Sequence, residues 1–422
     1  MRLTETEKRM LEGQFGEALA KSLQYIVQFG EAFDAEQLED IRYCHYPAEM
    51  AIYEGSIEEL QEFAAEQNVV AIPTTSSTLC ADMQCPEKTG IPLALAQNQS
   101  KACIAHRKLG IQPTYTCTPQ LNGAVPAFGT PIASVESSAI IFFNSLLGAR
   151  TNRGGVFTKF SAVTGKYPKM GYMLEENRAG QHQFQVEDFP VNPMENSLWW
   201  SALGFVVGSH VGSDVPVVCD LPVAPIERWI TLGAAMATSG SVSLFHAVGH
   251  TPEAHTLDMA FQGKKPNSTR TIGKKELVSA IEQMTNLSSN EKIDFVCLGC
   301  PHYSLEQLRL AAAWLQGKKI DASVRFWICT SRMVRSMAQS SGYIKTIEES
   351  GAQVIADTCP VESHMRISTC QEYHLPIPQI RALVTDSFKM ARYTKDLIGC
   401  KVGLTTTEKV FQSALEGRYL VW

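Results

Sequence analysis

Three cysteines have a sequence context typical of metal ligands or reactive thiols. Cys117, Cys300 and Cys359 each fall in a predicted loop with a proline one or two residues later. Because proline ends a regular ladder or helix, such a thiolate can be directed into a cleft, and cysteine next to proline also occurs at iron–sulfur ligands. Their wide separation argues against a compact zinc knuckle, which uses paired short spacings. The pattern predicts a three-thiolate site, and ordinary buried thiols are the alternative.

The other cysteines carry weaker signals. Cys297 forms a Cys-x-x-Cys pair with Cys300, but it lies in an apolar predicted strand, so the pair only weakly indicates a metal or redox site. Cys80 and Cys85 follow a polar loop and are reserve candidates. The remaining six are expected to pack as small apolar side chains: Cys44, Cys103, Cys219, Cys329, Cys370 and Cys400.

Three protein ligands on an iron–sulfur cluster would leave one iron without a protein thiolate. Such an iron is a Lewis acid that can bind a substrate hydroxyl and make it a better leaving group. This chemistry needs a cation for the substrate carboxylate. Arg150 and Arg153, which lie among glycines, can form a bidentate fork, and Lys389 is a second candidate anchor or acid–base group. A solvated surface side chain is the alternative for each of them.

The elements that would position these residues follow from the apolar pattern. The first 70 residues have helical spacing, with a capping box at Thr4 and Glu7. A strand is predicted over 69–72, and the polar loop after it lies where α/β proteins place ligands. An apolar helix over 134–147 carries Glu136, Ser137 and Asn144 near one face, which indicates a binding site or an internal hydrogen-bond network.

The whole chain is predicted to be an α/β protein of two abutting lobes, 1–216 and 217–422, with an N-terminal helical segment. Its 422 residues are 45% apolar and 19% charged, with a net charge of −6, which excludes disorder as the main state. No basic stripe indicates nucleic acid. The charged N-terminus argues against a secretory signal, and polar residues interrupt the most apolar stretch, 197–218, so no membrane span is predicted. A cytoplasmic location is expected.

Several motifs together resemble the aconitase X family, in the family's order and from near residue 4 to the end. The resemblance is carried by Thr116-Cys117-Thr118-Pro119, Glu136-Ser137-Ser138-Ala139, Asn144-Ser145-Leu146-Leu147-Gly148-Ala149-Arg150-Thr151-Asn152, Glu176-Asn177-Arg178, Phe245-His246-Ala247-Val248-Gly249, Thr251-Pro252-Glu253-Ala254, Gly299-Cys300-Pro301-His302, Asp357-Thr358-Cys359-Pro360 and Ser387-Phe388-Lys389.

The resemblance implies an aconitase-superfamily fold and a dehydratase that acts on a small hydroxy acid. It implies that Cys117, Cys300 and Cys359 hold an iron–sulfur cluster, with 4Fe–4S and 2Fe–2S both open, and that the substrate hydroxyl leaves from the open iron. His302, Lys389 and Ser387 would form the catalytic group. The residues expected to line the substrate pocket are Thr75, Ser76, Ser77, Ser137, Ser138, Arg150, Thr151 and Asn152.

Members of the family also have a small swivelling domain, fused or separate, that supplies a serine base. This chain ends at Trp422 without room for such a domain after Lys389, so the resemblance implies the large subunit of a two-chain enzyme. Alone, the chain is expected to bind the cluster and to turn over little or no substrate.

Two substrates occur in the family: cis-3-hydroxy-L-proline in bacterial members and mevalonate 5-phosphate in archaeal ones. The 12 Cys and 14 Met disfavour a hyperthermophilic source, so hydroxyproline is preferred and phosphomevalonate is the alternative. A silent scaffold or a redox-sensing thiol protein is the alternative of another class, and it would have exposed thiols of low pKa and no cluster. Three departures from the family pattern bear on the substrate: Cys80, Gln120 and Phe388.

Overall fold

The N-terminal third combines helices with a small parallel sheet. The computed structural model describes residues 1–53, 55–66, 68–190, 197–375 and 380–422. The predicted capping box is confirmed, because Thr4 Oγ1 accepts from the Glu7 amide and Glu7 accepts from the Thr4 amide. The elements here are helices α1 Glu5–Leu11, α2 Glu17–Ala32, α3 Ser56–Ala65, α4 Pro86–Thr89, α5 Leu93–Leu109, α6 Ser137–Ser145 and α7 Phe157–Thr164, with strands β1 Leu38–Asp40, β2 Cys44–Tyr46, β3 Thr74–Ser76, β4 Ala133–Ser134 and β5 Lys166–Pro168.

The strand predicted over 69–72 is wrong. Residues 69–72 instead run past helices α5 and α7. The Val70 amide donates to Leu109 O of α5, and the Ala71 amide donates to Ala162 O of α7. The strand is instead β3, whose three hydroxyl-bearing residues are buried and pair in parallel with β2. Their β-branched or small side chains and the available backbone partner decided the position. Only after Ser76 does the chain leave the sheet, whose strand order is β3-β2-β4.

The middle of the chain forms a second, four-stranded sheet in which every pairing is parallel. Its strand order is β8-β7-β6-β9. Helices α8 and α9 pack closely because Gly204 and Gly208 of α8 lie directly against the α9 backbone, where a Cβ atom would collide. The elements are β6 His182–Val186, α8 Ser197–Val211, β7 Pro216–Cys219, α9 Ile226–Gly240, β8 His246–Ala247, α10 Leu257–Phe261, β9 Ser268–Ile272 and α11 Lys274–Met284.

The C-terminal third is a doubly wound five-stranded parallel sheet. Its order, β12-β11-β10-β13-β14, reverses between β10 and β13, and such a reversal opens a crevice at the carboxyl ends of the strands. The elements are β10 Phe295–Tyr303, α12 Leu305–Leu315, β11 Arg325–Thr330, α13 Arg332–Ser340, α14 Tyr343–Glu349, β12 Gln353–Ala356, α15 Ile367–Glu372, β13 Ala382–Thr385, α16 Phe388–Tyr393, β14 Lys401–Leu404 and α17 Thr407–Glu416.

One large apolar core joins the middle and C-terminal sheets. It runs from α8 and α9 to the buried faces of β10, β11 and β13, and this packing holds the crevice rigidly. The mixed α/β class predicted from the sequence is confirmed. The predicted boundary between 216 and 217 falls within β7, and the division into two lobes stays a prediction. Within the described ranges, no helix has the length and apolar character needed to cross a membrane.

Candidate active site

The three singled-out cysteines come together. Cys117, Cys300 and Cys359 all line one cavity of about 240 Å³, although they come from three distant parts of the chain. Cys117 precedes a short 3-10 turn, Cys300 lies near the end of β10, and Cys359 follows β12 by three residues. Gly299 makes this arrangement possible, since its φ is +89° and a Cβ atom there would collide with Cys329 O. The cavity therefore lies at the carboxyl end of β10, beside the reversal in strand order.

Backbone hydrogen bonds hold the cysteine loops in place. The His302 amide donates to Cys117 Sγ over 3.3 Å, Ser138 Oγ donates to Cys117 O over 3.1 Å, and the Cys359 amide donates to Leu79 O over 3.0 Å. The first and the last of these bonds cross between the N-terminal and C-terminal thirds, and the second joins two segments of the N-terminal third. The thiol positions are therefore fixed by the tertiary fold and not by one local motif.

The electrostatics of the three thiols favour a cationic ligand. Burial raises the pKa of each thiol, that of Cys300 to about 12, and the neighbouring thiols add to the rise. The Lys389 charge opposes the rise in pKa at Cys117 and Cys300, and backbone amides oppose it at Cys117 and Cys359. A positive centre within the cavity would stabilise the thiolates and so drive their deprotonation.

These residues fit an iron–sulfur cluster better than a single metal ion. All three thiols are free, they line the same cavity, and each is close enough to another to perturb its titration. Yet within the described part of the chain no three His, Cys, Asp or Glu side chains are grouped tightly enough for one ion. Cysteines that are too far apart for one ion but share one cavity suit a polynuclear cluster, which is held by thiolates.

A largely buried ion pair lines the cavity beside the thiols. Lys389 Nζ lies 3.2 Å from both Glu136 Oε1 and Ser137 Oγ, and Ser77 Oγ donates to Glu136 over 3.4 Å. Burial alone raises the pKa of Glu136, but the charge and hydrogen bond of Lys389 outweigh it and lower that pKa to about 2. Burial alone lowers the pKa of Lys389, and the Glu136 charge reverses this. The pair is therefore ionised across the physiological range.

His302 links two of the cysteine loops as a neutral side chain. Burial lowers its pKa to about 4. Its Nε2 lies 2.9 Å from Thr358 O, an acceptor only, so Nε2 carries the proton. Its Nδ1 must then accept from Thr116 Oγ1 at 3.1 Å. The ring lines the cavity while its two nitrogens join the residues next to Cys117 and Cys359.

Four residues of the predicted substrate and catalytic sets line the cavity, and the others lie around it. Ser77, Ser137, His302 and Lys389 are in the lining. Ser138 lies just behind it, bonded to Cys117 O and Glu136. The remaining six have internal partners, and none of them is in the lining formed by the described residues: Thr75, Ser76, Arg150, Thr151, Asn152 and Ser387. Arg153, named as an alternative anchor, also lies outside it.

These outer residues have identifiable structural partners. Thr75 Oγ1 bonds to Tyr43 and to His45 Nδ1, while Ser76 Oγ donates to Ser77 O. Ser387 is the N-cap of α16 and accepts from the Met390 amide. Each supports an element on which a lining residue lies.

The loop 150–153 is held by its own set of bonds. Arg150 Nη2 lies 2.8 Å from Glu175 and 3.1 Å from Glu253. The Thr151 amide donates to Asn144 Oδ1. Asn152 Nδ2 donates to Met170 O. The Arg153 guanidinium donates to Ser243 Oγ over 3.1 Å. The structure thus places this loop as a junction between the N-terminal and middle sheets.

Sequence reasoning missed several lining residues. Glu362 and Tyr393 both line the cavity, and Glu362 pairs with Arg366, which also donates to Tyr53 OH over 2.6 Å. Glu362 stands three residues after Cys359, so a carboxylate close behind a ligand cysteine was an available signal. Tyr393 offered none, because it reaches the cavity only through the position of α16 in the fold.

The chain matches three family models that together span most of its length. They are described as the aconitase X first, second and third domains, and they match residues 1–176, 180–282 and 293–416. Among solved structures, the holo-form of aconitase X from Thermococcus kodakaraensis superposes with a TM-score of 0.85. That structure is 31% identical in sequence, and the match covers 98% of this chain and 100% of the other.

Curated relatives carry two activity names. The phosphomevalonate dehydratase large subunit of Methanocaldococcus jannaschii is 34% identical over 369 residues, which cover 86% of this chain and 90% of the relative. The cis-3-hydroxy-L-proline dehydratase of Pseudomonas aeruginosa is 30% identical over 426 residues, which cover 99% of this chain and 70% of the relative. Both names describe the removal of water.

Proposed function

The chain belongs to the aconitase X family of dehydratases, and on this premise we propose that it is the large subunit of an iron–sulfur-dependent hydro-lyase for a small hydroxy acid. The convergence of Cys117, Cys300 and Cys359 on the cavity of the Glu136–Lys389 pair carries the proposal. The three thiolates would hold the cluster, with 4Fe–4S and 2Fe–2S both compatible. The half-buried trio, whose thiol pKa values are raised, speaks against the redox-sensor alternative, which needs exposed thiols of low pKa.

In the proposed elimination, some residues of the chain bind and orient the substrate, and others stabilise charge or position the binding residues. A cluster held by three protein thiolates supplies a Lewis-acidic iron for the departing hydroxyl. Lys389, kept as an ammonium by Glu136, binds the substrate carboxylate and stabilises the charge that develops when the α-proton leaves. Ser77 and Ser137 orient the substrate by hydrogen bonds from the cavity wall. His302 fixes the loops of two ligands, and Ser387 sets the helix that carries Lys389.

We favour cis-3-hydroxy-L-proline as the substrate. The charged side chains in the lining formed by the described residues are Glu136, Glu362 and Lys389. Two carboxylates and one ammonium complement an amino acid, which carries one carboxylate and one ammonium group. A cavity of about 240 Å³ also suits a small ring. A phosphorylated acid would bring two anionic groups towards two carboxylates, which Coulomb's law disfavours at short range.

Mevalonate 5-phosphate is the second candidate, and the comparisons favour it. The relative from Methanocaldococcus jannaschii and another from Methanothermobacter thermautotrophicus are phosphomevalonate dehydratase large subunits, with which this chain shares 34% and 32% identity. The chain covers 90% and 94% of their lengths. Their names as large subunits also support the proposal of a small, swivelling partner that brings the serine base. A cytoplasmic location stays a prediction.

The decisive experiment compares the two substrates on one anaerobic preparation. The chain would be co-expressed with a small swivelling-domain subunit, iron and sulfide would be measured, and both acids would be assayed. We expect turnover of cis-3-hydroxy-L-proline by the pair and little by the chain alone. Cys300→Ser should lose cluster and activity, whereas Cys297→Ala, three residues earlier on β10 and buried in the core, should keep both. A protein without iron in every preparation would overturn the proposal.

A further inference from the structure

We propose that Asp82 is a positioning residue, which fixes the loop that carries Cys359 against the N-terminal third and so sets where this thiol meets the other two. The inference rests on the proposed iron–sulfur function. The Cys359 loop is defined here as residues 357–361. Asp82 is outside the cavity lining formed by the described residues, so it acts through the loop and not on the substrate.

Asp82 is a completely buried carboxylate whose two oxygens serve different parts of the fold. Its side chain is 0% exposed. Oδ1 accepts from the Gln84 and Cys85 amides at 2.9 and 3.2 Å. Oδ2 reaches across to the C-terminal third, where it accepts from the Ala356 amide and from Arg335 Nη1, both at 3.0 Å. A buried charge with this many donors is held firmly, since each bond is charge-assisted.

The contacts of Asp82 are continuous with those of the Cys359 loop. Ala356 ends β12, directly before that loop. Three residues before Asp82, the Leu79 amide donates to Asp357 O over 2.8 Å, and the Cys359 amide donates to Leu79 O over 3.0 Å. The segment 79–82 thus holds the chain from Ala356 to Cys359, and among the described residues the Asp82–Arg335 ion pair is the charged contact of this segment with the C-terminal third.

Bonds within the C-terminal third hold the Cys359 loop. What remains to be set is how this loop docks against the N-terminal third. Asp357, at φ +62°, is held by Arg332 through Nε at 2.8 Å and Nη2 at 2.6 Å. The same guanidinium lies over the Tyr115 ring at 4.6 Å, two residues before Cys117. A shift of the loop relative to the N-terminal third would break the Leu79 bonds and the Asp82–Ala356 bond, and Asp82 supplies the charged member of this set.

The first test needs no cluster. Hydrogen exchange would be followed in the full chain without cluster, for the unaltered protein and for Asp82→Asn. This substitution keeps the shape of the side chain and an acceptor oxygen but removes the charge. We expect amides of 79–80 and 357–359 to exchange about tenfold faster than in the unaltered protein, as the loss of one charge-assisted hydrogen bond implies. The matched control is Asp294→Asn. Asp294 also accepts from two backbone amides and an arginine, but at the opposite end of the same sheet.

The second test uses the reconstituted enzyme with its partner subunit. Asp82→Asn should lose iron to a chelator several times faster than Asp294→Asn and should lower kcat with KM unchanged, because a displaced ligand alters the cluster and not the substrate contacts. Arg335→Gln, which removes the other half of the ion pair, should give the same pattern. This second variant keeps the inference testable if Asp82→Asn does not fold.

The outcomes separate the inference from the function on which it rests. Faster exchange confined to the two segments, with faster iron loss, supports the positioning role. Exchange and iron loss equal to those of the Asp294→Asn control overturn it. If the unaltered protein binds no iron, the proposed function fails, while the exchange data still decide whether Asp82 docks the loop.

Discussion

At the scale of single residues, the Glu136–Lys389 pair gives a prediction with a defined sign. Glu136→Gln keeps the shape of the side chain but removes the charge that raises the pKa of Lys389. The lysine then loses its proton at lower pH, so the alkaline limb of the kcat profile should move to lower pH, and kcat should fall about 100-fold. The measurement is the pH profile of the reconstituted enzyme. Superimposable profiles would contradict the assignment.

A control variant, Glu362→Gln, and the acid unfolding of Glu136→Gln complete this test. Glu362→Gln changes a second carboxylate of the same cavity, but that carboxylate pairs with Arg366, so KM should change without a shift of the alkaline limb. The lowered pKa of Glu136, about 2, means that its contribution to stability is present above the ordinary glutamate value and is lost as the pH falls towards 2. Acid unfolding of Glu136→Gln should therefore be less steep in that range.

Residue types with one dominant chemistry were predictable from the sequence. Cys117, Cys300, Cys359 and Lys389 all reach the cavity, because thiolates and buried ammonium groups have few other stable roles at strand ends. Hydroxyl and guanidinium side chains were less predictable. Thr75, Ser387 and Arg150 were expected in the pocket, yet they satisfy neighbouring backbone or carboxylate groups, since such groups are common caps and cross-links as well as ligands. Their proposed contact with substrate stays a prediction.

At the scale of elements, helix α16 determines how Lys389 is presented. Ser387 caps it by accepting from the Met390 amide over 3.2 Å. Ser387→Ala should lower the free energy of unfolding by about 1 kcal/mol. It should lower kcat only to the extent that loss of the cap displaces Lys389 in the first turn of α16. Ser387→Asn, which retains a cap, should recover both in urea unfolding and steady-state assays. A large loss of kcat in Ser387→Asn with full stability would instead assign the hydroxyl to catalysis.

Element types were predicted better than element positions. The apolar helix expected over 134–147 is α6, Ser137–Ser145, because a long apolar run with a polar first turn has few other folds. Residues 69–72 do not form the expected strand. The strand is β3, Thr74–Ser76, a few residues later. Apolar content alone could not locate it, since the pairing partner β2 is distant in sequence and buried hydroxyl side chains also occupy strands.

At the scale of the whole molecule, the site exists only because the N-terminal and C-terminal thirds pack together, since residues of both line the cavity. The doubly wound order could be expected from alternating strands and helices, and it places Cys300 at a crevice. The contacts between the N-terminal and C-terminal thirds could not be predicted from the sequence. The Leu79–Cys359 hydrogen bond, for example, joins residues 280 positions apart through backbone atoms that carry no sequence signal. The local context of the three cysteines predicted a three-thiolate site, and the family resemblance implied the same three residues as cluster ligands.

The junction between the N-terminal and middle sheets depends on a buried carboxylate, Glu253. It pairs with Arg178, whose side chain is 0% exposed, and lies 3.1 Å from Arg150. Glu253→Gln leaves two guanidinium groups without their shared charge, so the free energy of unfolding should fall by about 3 kcal/mol. Glu306→Gln, in an exposed pair with Arg309, should cost less than about 1 kcal/mol. Urea unfolding measures both, and equal losses would show that the buried network does not hold the sheets together.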